Sequence, residues 1–336
     1  MAEIIIEKAV LHILDTNVGL PVLSQQELEL KGEAADFLEK QLRKVLEDDR
    51  LKPAEFSGEA NPVRERCAKY AADGDFLGFS QGLADALYRL MLAHVDISPA
   101  DLVCCHFSED GRSCFGALKL NYRKGFIHQI GYEEERSINS LVLQQAVLPS
   151  EQQKPEECFV VALDDLSLRL IEKEYEIDGN KELYLSKRFL ACADRLSNHE
   201  KARVLDKVTQ KISQKYGMGD DFTPMVRLRQ AVSEDLDDAG AIDMQHVAQA
   251  VFRGDPDAQR EYLEEVHRAG LVERAVELPE RIANRKFRNQ KIWTDTGIEI
   301  NFPADYYNNR EKLEFVSNVD GTISIIIKNV GKIINK

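Results

Sequence analysis

Five cations with no acid between them, Arg281, Arg285, Lys286, Arg288 and Lys291, fall within eleven residues near the end of the 336-residue chain. Guanidinium and ammonium groups gathered this way neutralise phosphate oxygens and release the counterions condensed on them, so the chemistry they suggest is contact with a polyanion backbone. Trp293 follows two residues later, and Phe302, Tyr306, Tyr307 and Phe315 lie further on. An indole beside cations can stack on an unpaired base, which matters only for a single strand. Taken alone, the pattern reads better as a sheet with a solvated rim. A second basic set, Arg203, Lys207, Lys211 and Lys215, recurs every four residues. On a helix these form one ridge, roughly 100° round from the apolar ridge Val204, Val208, Ile212 and Tyr216. Its alternatives are a phosphate contact and an ordinary charged flank.

Other constellations are incomplete. Cys104, Cys105 and His106 face Cys114 across an expected hairpin. Successive strand residues point to opposite faces, so Cys104 and His106 share a side, Cys105 does not, and a four-ligand zinc set is lacking. Asp164-Asp165 resembles a nuclease carboxylate pair but reads better as a solvated turn. The sequence has no glycine-rich phosphate loop, no Gly-x-Ser-x-Gly and no His-Glu-x-x-His. No catalytic, cofactor or metal residue is therefore assigned, and no enzyme activity is expected.

Net charge sets the condition on any contact with nucleic acid. At −14 the chain as a whole repels a polyanion, so binding requires segregated charge. Residues 187–217 hold eight basic and three acidic side chains, and 281–291 hold five and none, so each island is at +5. Between them 218–280 carries six basic and fifteen acidic residues, or −9. That acidic stretch is a candidate surface for a basic protein partner. The six cysteines, Cys67, Cys104, Cys105, Cys114, Cys158 and Cys192, sit in apolar contexts and read as reduced thiols. No apolar run is long enough to span a membrane. The start, Met1-Ala2-Glu3-Ile4, has no export signature, so a cytoplasmic location is expected.

The elements that must carry these residues are set by periodicity. Glu3–Asp15 reads as an opening strand. Ser24 with Glu27 forms a capping box for a helix running to about Asp49, with Ala35, Leu38, Leu42 and Val45 facing a core. Lys52 to Pro62 reads as a loop, and Phe76 to His94 as a second helix. Asp101–Phe107 and Ser113–Asn121 flank an Asp110-Gly111 turn, and Phe126–Tyr132, Ser140–Pro149, Cys158–Asp164 and Leu168–Ile177 continue the β-rich run. Ser186 is the expected cap of a helical region to Tyr216, broken near Ser197-Asn198. Asp243 caps Met244–Arg253, and Asp255-Pro256 starts another helix with Gly270 past its end. That helix carries Asp257, Glu261, Glu264 and Glu265, which excludes it as a recognition helix. Leu313–Val316 and Thr322–Lys328 around Asp320-Gly321 read as a closing hairpin. The expectation is an α+β protein: a mixed or antiparallel N-terminal sheet with packed helices over 1–186, a helical middle over 187–280, and a basic segment with a small β module over 281–336.

The last segment also resembles a known family. Thr294-Asp295-Thr296-Gly297-Ile298-Glu299-Ile300, then Pro303-x-x-Tyr306-Tyr307, then the run Asp320–Asn329 are similar to the C-terminal signature of the bacterial 37-kDa nucleoid-associated proteins, the NdpA-like family. The resemblance is specific over the last ~45 residues and holds in outline over the rest. It implies a cytoplasmic, nucleoid-localised DNA-binding protein, without a set of binding residues to carry over. The resulting expectation is DNA binding largely without sequence specificity, through Arg281–Lys291 assisted by Arg203, Lys207, Lys211 and Lys215. The alternatives are an adaptor whose acidic 218–280 recruits a DNA-associated partner and, more weakly, a metal-dependent enzyme on nucleic acid. A homodimer would double a weak basic patch.

Overall fold

A computed structural model of the chain describes residues 2–58, 60–133, 136–219 and 222–332. Two compact units divide it, Met1–Arg195 and Leu196–Lys336. In the first unit β1 (Ile4–Leu14) is followed by α1 (Gly32–Leu46), β2 (Lys52–Phe56), α2 (Pro62–Asp73) and α3 (Phe76–Ala93). Then come β3 (Ala100–Glu109), β4 (Arg112–Asn121), β5 (Arg123–Glu133), β6 (Arg136–Val147), β7 (Glu157–Ala162) and β8 (Leu168–Ile171). The unit closes with β9 (Tyr175–Ile177), β10 (Asn180–Glu182), a π-helical turn at Leu185–Phe189 and β11 (Cys192–Asp194).

Seven strands form one sheet, ordered β1-β3-β4-β7-β8-β2-β11, with each neighbouring pair antiparallel wherever the register is defined. The α+β class is as expected, and the sheet takes the antiparallel form. Alternation along the central strands explains why both faces are covered. Cys104, Phe115, Ala117, Phe159 and Val161 pack in one core with Tyr70 of α2 and Leu83 and Leu87 of α3. Cys105, Cys114, Leu118, Cys158 and Val160 pack in another with Leu38, Leu42 and Val45 of α1. The β3–β4 turn places Asp110 and Gly111 at positive φ, the conformation a tight two-residue hairpin requires.

Several local expectations change. Ser24 does not cap a helix: its backbone N–H donates to His12 Nδ1, Leu28 N donates to the Ala9 carbonyl, and this tether holds the segment against β1 until Gly32. The stretch expected as a loop contains β2, and α2 lies where no helix was expected. Its start is nonetheless written in Asn61-Pro62, since Asn61 Oδ1 accepts from Val63 and Arg64 N–H and Pro62 holds the first helical position. Ser186 lies inside a π-helical turn, Leu185–Phe189, and Ala191 takes φ 44° just beyond its end. The cap of the long basic helix is Ser197, reciprocated by Glu200 in a capping box.

β5 and β6 leave the large sheet and pair with each other as a separate two-stranded ribbon. Buried side chains fix its root. Glu157 accepts hydrogen bonds from Lys119 Nζ (2.9 Å), Asn121 Nδ2 (2.8 Å), Tyr175 OH (2.6 Å) and Tyr184 OH (2.5 Å), and is fully buried. Burial pulls the Lys119 pKa down, against the attraction of Glu157. Next along the chain, Tyr122 OH donates to Asp101 at 2.6 Å, and Arg123 pairs with Glu156 at 3.4 Å.

The second unit begins with α4 (Asn198–Lys215), α5 (Thr223–Ala239), β12 (Ala241–Asp243), α6 (Met244–Val251) and α7 (Pro256–Arg268). Then come β13 (Ala275–Glu277), α8 (Glu280–Lys286), β14 (Asn289–Trp293), β15 (Glu299–Pro303), β16 (Leu313–Ser317) and β17 (Ile323–Ile327). One core unites Leu205, Val208 and Ile212 of α4 with Leu228 and Val232 of α5, Val247 and Val251 of α6, and Tyr262 and Val266 of α7. Asp243 and Asp255 cap α6 and α7 as expected, and Gly270 takes φ 101° past the end of α7.

Both buried polar sites of the first unit can be tested by unfolding. Glu157→Ala leaves a buried ammonium and several buried donors unpaired, so urea unfolding should show a loss of about 3–5 kcal/mol. A loss under about 1 kcal/mol would show that the network does not hold this end of the sheet. His12 is buried, with Nδ1 accepting from Ser24 N–H and Nε2 donating to Ser80 Oγ at 3.1 Å. Burial lowers its pKa to about 4. The unfolded chain therefore binds this proton first, so the stabilisation is complete above about pH 6.5 and lost as pH falls towards about 4. Unfolding free energy should drop by on the order of 2–3 kcal/mol across that window, with a smaller drop in His12→Asn.

Candidate nucleic-acid interface

The ten residues singled out for DNA contact all belong to the second unit. Arg203, Lys207, Lys211 and Lys215 are exposed along α4, displaced from the buried Leu205, Val208 and Ile212 as helical geometry dictates. Their fates differ along the helix. α7 packs against α4, and its acids hold the C-terminal half of the ridge. Lys211 Nζ lies 2.5 Å from Glu265, and Lys215 Nζ 2.6 Å from Glu261. The hydrogen bond with Glu261 raises the Lys215 pKa and lowers that of Glu261 in turn. Arg203 and Lys207 have no ion-pair partner among the described residues.

Arg281, Arg285 and Lys286 lie on α8, a helix that the basic composition concealed. α8 packs against α4 and α5. That packing joins the two basic stretches of the sequence. Arg281 and Arg285 are exposed, and Lys286 is half-buried. Burial raises the pKa of Asp206 on α4, while Arg229 and Lys286 pull it back. Lys286 of α8 is therefore near enough to the N-terminal half of α4 for its charge to act on Asp206, with no ion pair between the two. Nothing in the sequence pattern pairs these residues, because the contact depends on how α5 seats both helices.

The remainder of the basic segment is compensated within the unit. Arg288 donates to Asp237 at 2.6 Å, and Lys291 pairs with Glu299 on the adjacent strand at 2.8 Å. The Lys291 ammonium also sits 5.2 Å from the centre of the Trp293 ring. Trp293 is 67% exposed on β14. The other aromatics of the segment are committed elsewhere: Phe302, Tyr307 and Phe315 form a cluster with Phe222, and Tyr306 lies under Lys312.

Several acids of the stretch 218–280 are also engaged within their own unit. Besides Glu261, Glu265 and Asp237, Asp243 caps α6 and pairs with Arg274, Asp255 caps α7, and Asp257 pairs with Arg260. In the first unit Arg112 bridges Asp164 and Asp165, both at 2.7 Å. Cys104 and Cys105 lie in opposite cores, as alternation requires.

The C-terminal signature turns out to be architectural. Thr294 Oγ1 accepts from Ile298 N–H at 2.9 Å, and Gly297 at φ 86° turns the chain between β14 and β15. Pro303 ends β15 and leads into a 3₁₀ turn at Ala304–Asn308. Asp320 accepts from Thr322 N–H and Oγ1, with Gly321 at φ 84°, and so closes the β16–β17 hairpin.

Beyond that signature, residues 10–335 match the family described as nucleoid-associated protein YejK. The chain belongs to this family. No curated protein matches it. Among the described residues no helix is long and apolar enough to cross a membrane.

Proposed function

We propose that this member of the YejK family associates with the nucleoid by direct contact with DNA phosphates, largely without sequence specificity. The contact face is the N-terminal half of α4 together with α8, and the residues that carry it are Arg203, Lys207 and Lys286, flanked by Arg281 and Arg285. The observation that supports it is the packing of α8 on α4, which gathers cations from two distant stretches of an acidic chain. Lys211, Lys215, Arg288 and Lys291 already have carboxylate partners and contribute less, because a phosphate must compete with a carboxylate for them. Phosphate contacts position a protein without reading bases, and an interface built from cations alone is indifferent to sequence. Trp293 lies among the compensated residues and is not part of the duplex contact in this reading.

The test is a salt titration of the purified chain against duplexes of unrelated sequence. Each phosphate neutralised contributes about 0.9 to the slope of log K against log salt. Arg203→Ala/Lys207→Ala/Lys286→Gln should lower that slope by roughly 2–3 and weaken all duplexes alike. Lys211→Ala/Lys215→Ala should change it by less than about 1. A triple variant with wild-type slope and affinity would place the contact elsewhere.

A further inference from the structure

Trp293, the chain's single tryptophan, has no part in the α4–α8 contact, and its position runs against the ordinary rule of burial. Along β14 the residues turned inward are Gln290 and Ile292, and along β15 they are Ile300 and Phe302. Gln290 is 4% exposed, and its side-chain oxygen has no hydrogen-bond partner among the described residues, whereas Trp293 is 67% exposed. Side-chain direction alternates along a strand, so the register that buries the amide is the one that presents the indole. A buried unpartnered oxygen and a bare indole both cost stability, and packing alone would not choose them together. Departures of this kind from the local rules are expected at sites of function.

The outward face is a small platform with a fixed arrangement. Asn289 pairs with Pro303, Lys291 with Asn301 and Trp293 with Glu299, and all six are exposed. Directly paired residues lie on one side of a sheet. The Lys291 ammonium lies over the indole, 5.2 Å from its centre, and pairs with Glu299 at 2.8 Å. The side-chain amides of Asn289 and Asn301 make no hydrogen bond among the described residues. The platform therefore offers one aromatic surface, two amides that can donate and accept, a carboxylate and one cation. With a single cation, already held by Glu299, it has little for a phosphate backbone alone. A π-surface beside groups that meet the donors and acceptors of a base edge is the chemistry that takes an unpaired nucleobase. Inside a duplex the base is stacked and out of reach, so the matching ligand is a single strand. α8 leads directly into β14 and packs against it, so the platform adjoins the proposed duplex contact.

We propose that the outer face of β14 and β15 is a stacking site for an unpaired base of single-stranded DNA, with Trp293 under the base and Asn289 and Asn301 at its edge. The proposal rests on the reading of this chain as a DNA-binding protein, and not on which helices meet the duplex. Such a site adds affinity for frayed ends and melted stretches, where bases have left the stack.

Because the chain has one tryptophan, its emission reports the contact without a label and without a variant. Titration of the full chain with a single-stranded oligonucleotide of about twelve nucleotides should quench that emission saturably. The fully paired duplex of the same sequence should leave it nearly unchanged. Trp293→Ala should weaken single-strand binding, read by the anisotropy of a labelled oligonucleotide, by about ten-fold, while Trp293→Phe keeps most of it. Both variants should keep the wild-type duplex affinity and far-ultraviolet spectrum. Conversely, Arg203→Ala/Lys207→Ala/Lys286→Gln should lose duplex affinity and still be quenched by the single strand, so the two readings fail separately. An unquenched indole, equal quenching by the duplex, or wild-type single-strand affinity in Trp293→Ala would overturn the proposal. So would quenching by a proline-rich peptide in place of the oligonucleotide, which would assign the platform to a protein.

Discussion

An acidic chain can meet DNA only where its own carboxylates have not already taken its cations, and this competition organises the second unit. The chain is at −14 overall, and among the described residues many lysines and arginines pair with an acid. The α4 ridge shows the effect within one helix. Four cations share one face, yet α7 places glutamates against Lys211 and Lys215, and none against Arg203 and Lys207. In the proposed contact, α7 acts on the face without belonging to it. Its acids pair with the C-terminal half of the ridge and leave the half that borders α8 without ion-pair partners among the described residues.

The first unit meets a different constraint. β4 must end its pairing with β7 and continue into a ribbon that pairs only with itself. A buried carboxylate with four donors holds that junction. Satisfied networks of this kind add orientation more than stability, since the desolvation of two charges offsets most of their attraction. The orientation is what a protruding ribbon needs, because a small change in angle at its root moves its far end by many ångströms.

Much of this fold was legible in the sequence, and the failures have local causes. Strands with strict alternation and an Asp-Gly turn, such as β3 and β4, came through nearly to the residue, as did helices marked by Asp243 and Asp255 caps. Ser24 misled because a capping box is a local signal, and a tertiary hydrogen bond to His12 outcompeted it. α2 was missed, although Asn61-Pro62 marks its start. Of the candidate site, the ridge on α4 was readable from spacing alone. Its partition into held and open halves was not, because that depends on α7, whose acids are far along the chain. The signature residues near the C-terminus identified the family, but their chemistry is that of turns. They say which fold this is, not where it binds.

If DNA rests on Lys207 and Lys286 rather than on the lysines already paired with carboxylates, lysine reactivity reports it directly. Acylation of surface lysines on the full chain, with and without saturating duplex, can be read peptide by peptide. Lys207 and Lys286 should lose reactivity when duplex is present, while Lys211, Lys215 and Lys291 change little. Unaltered labelling of Lys207 and Lys286 at saturation would contradict this contact face.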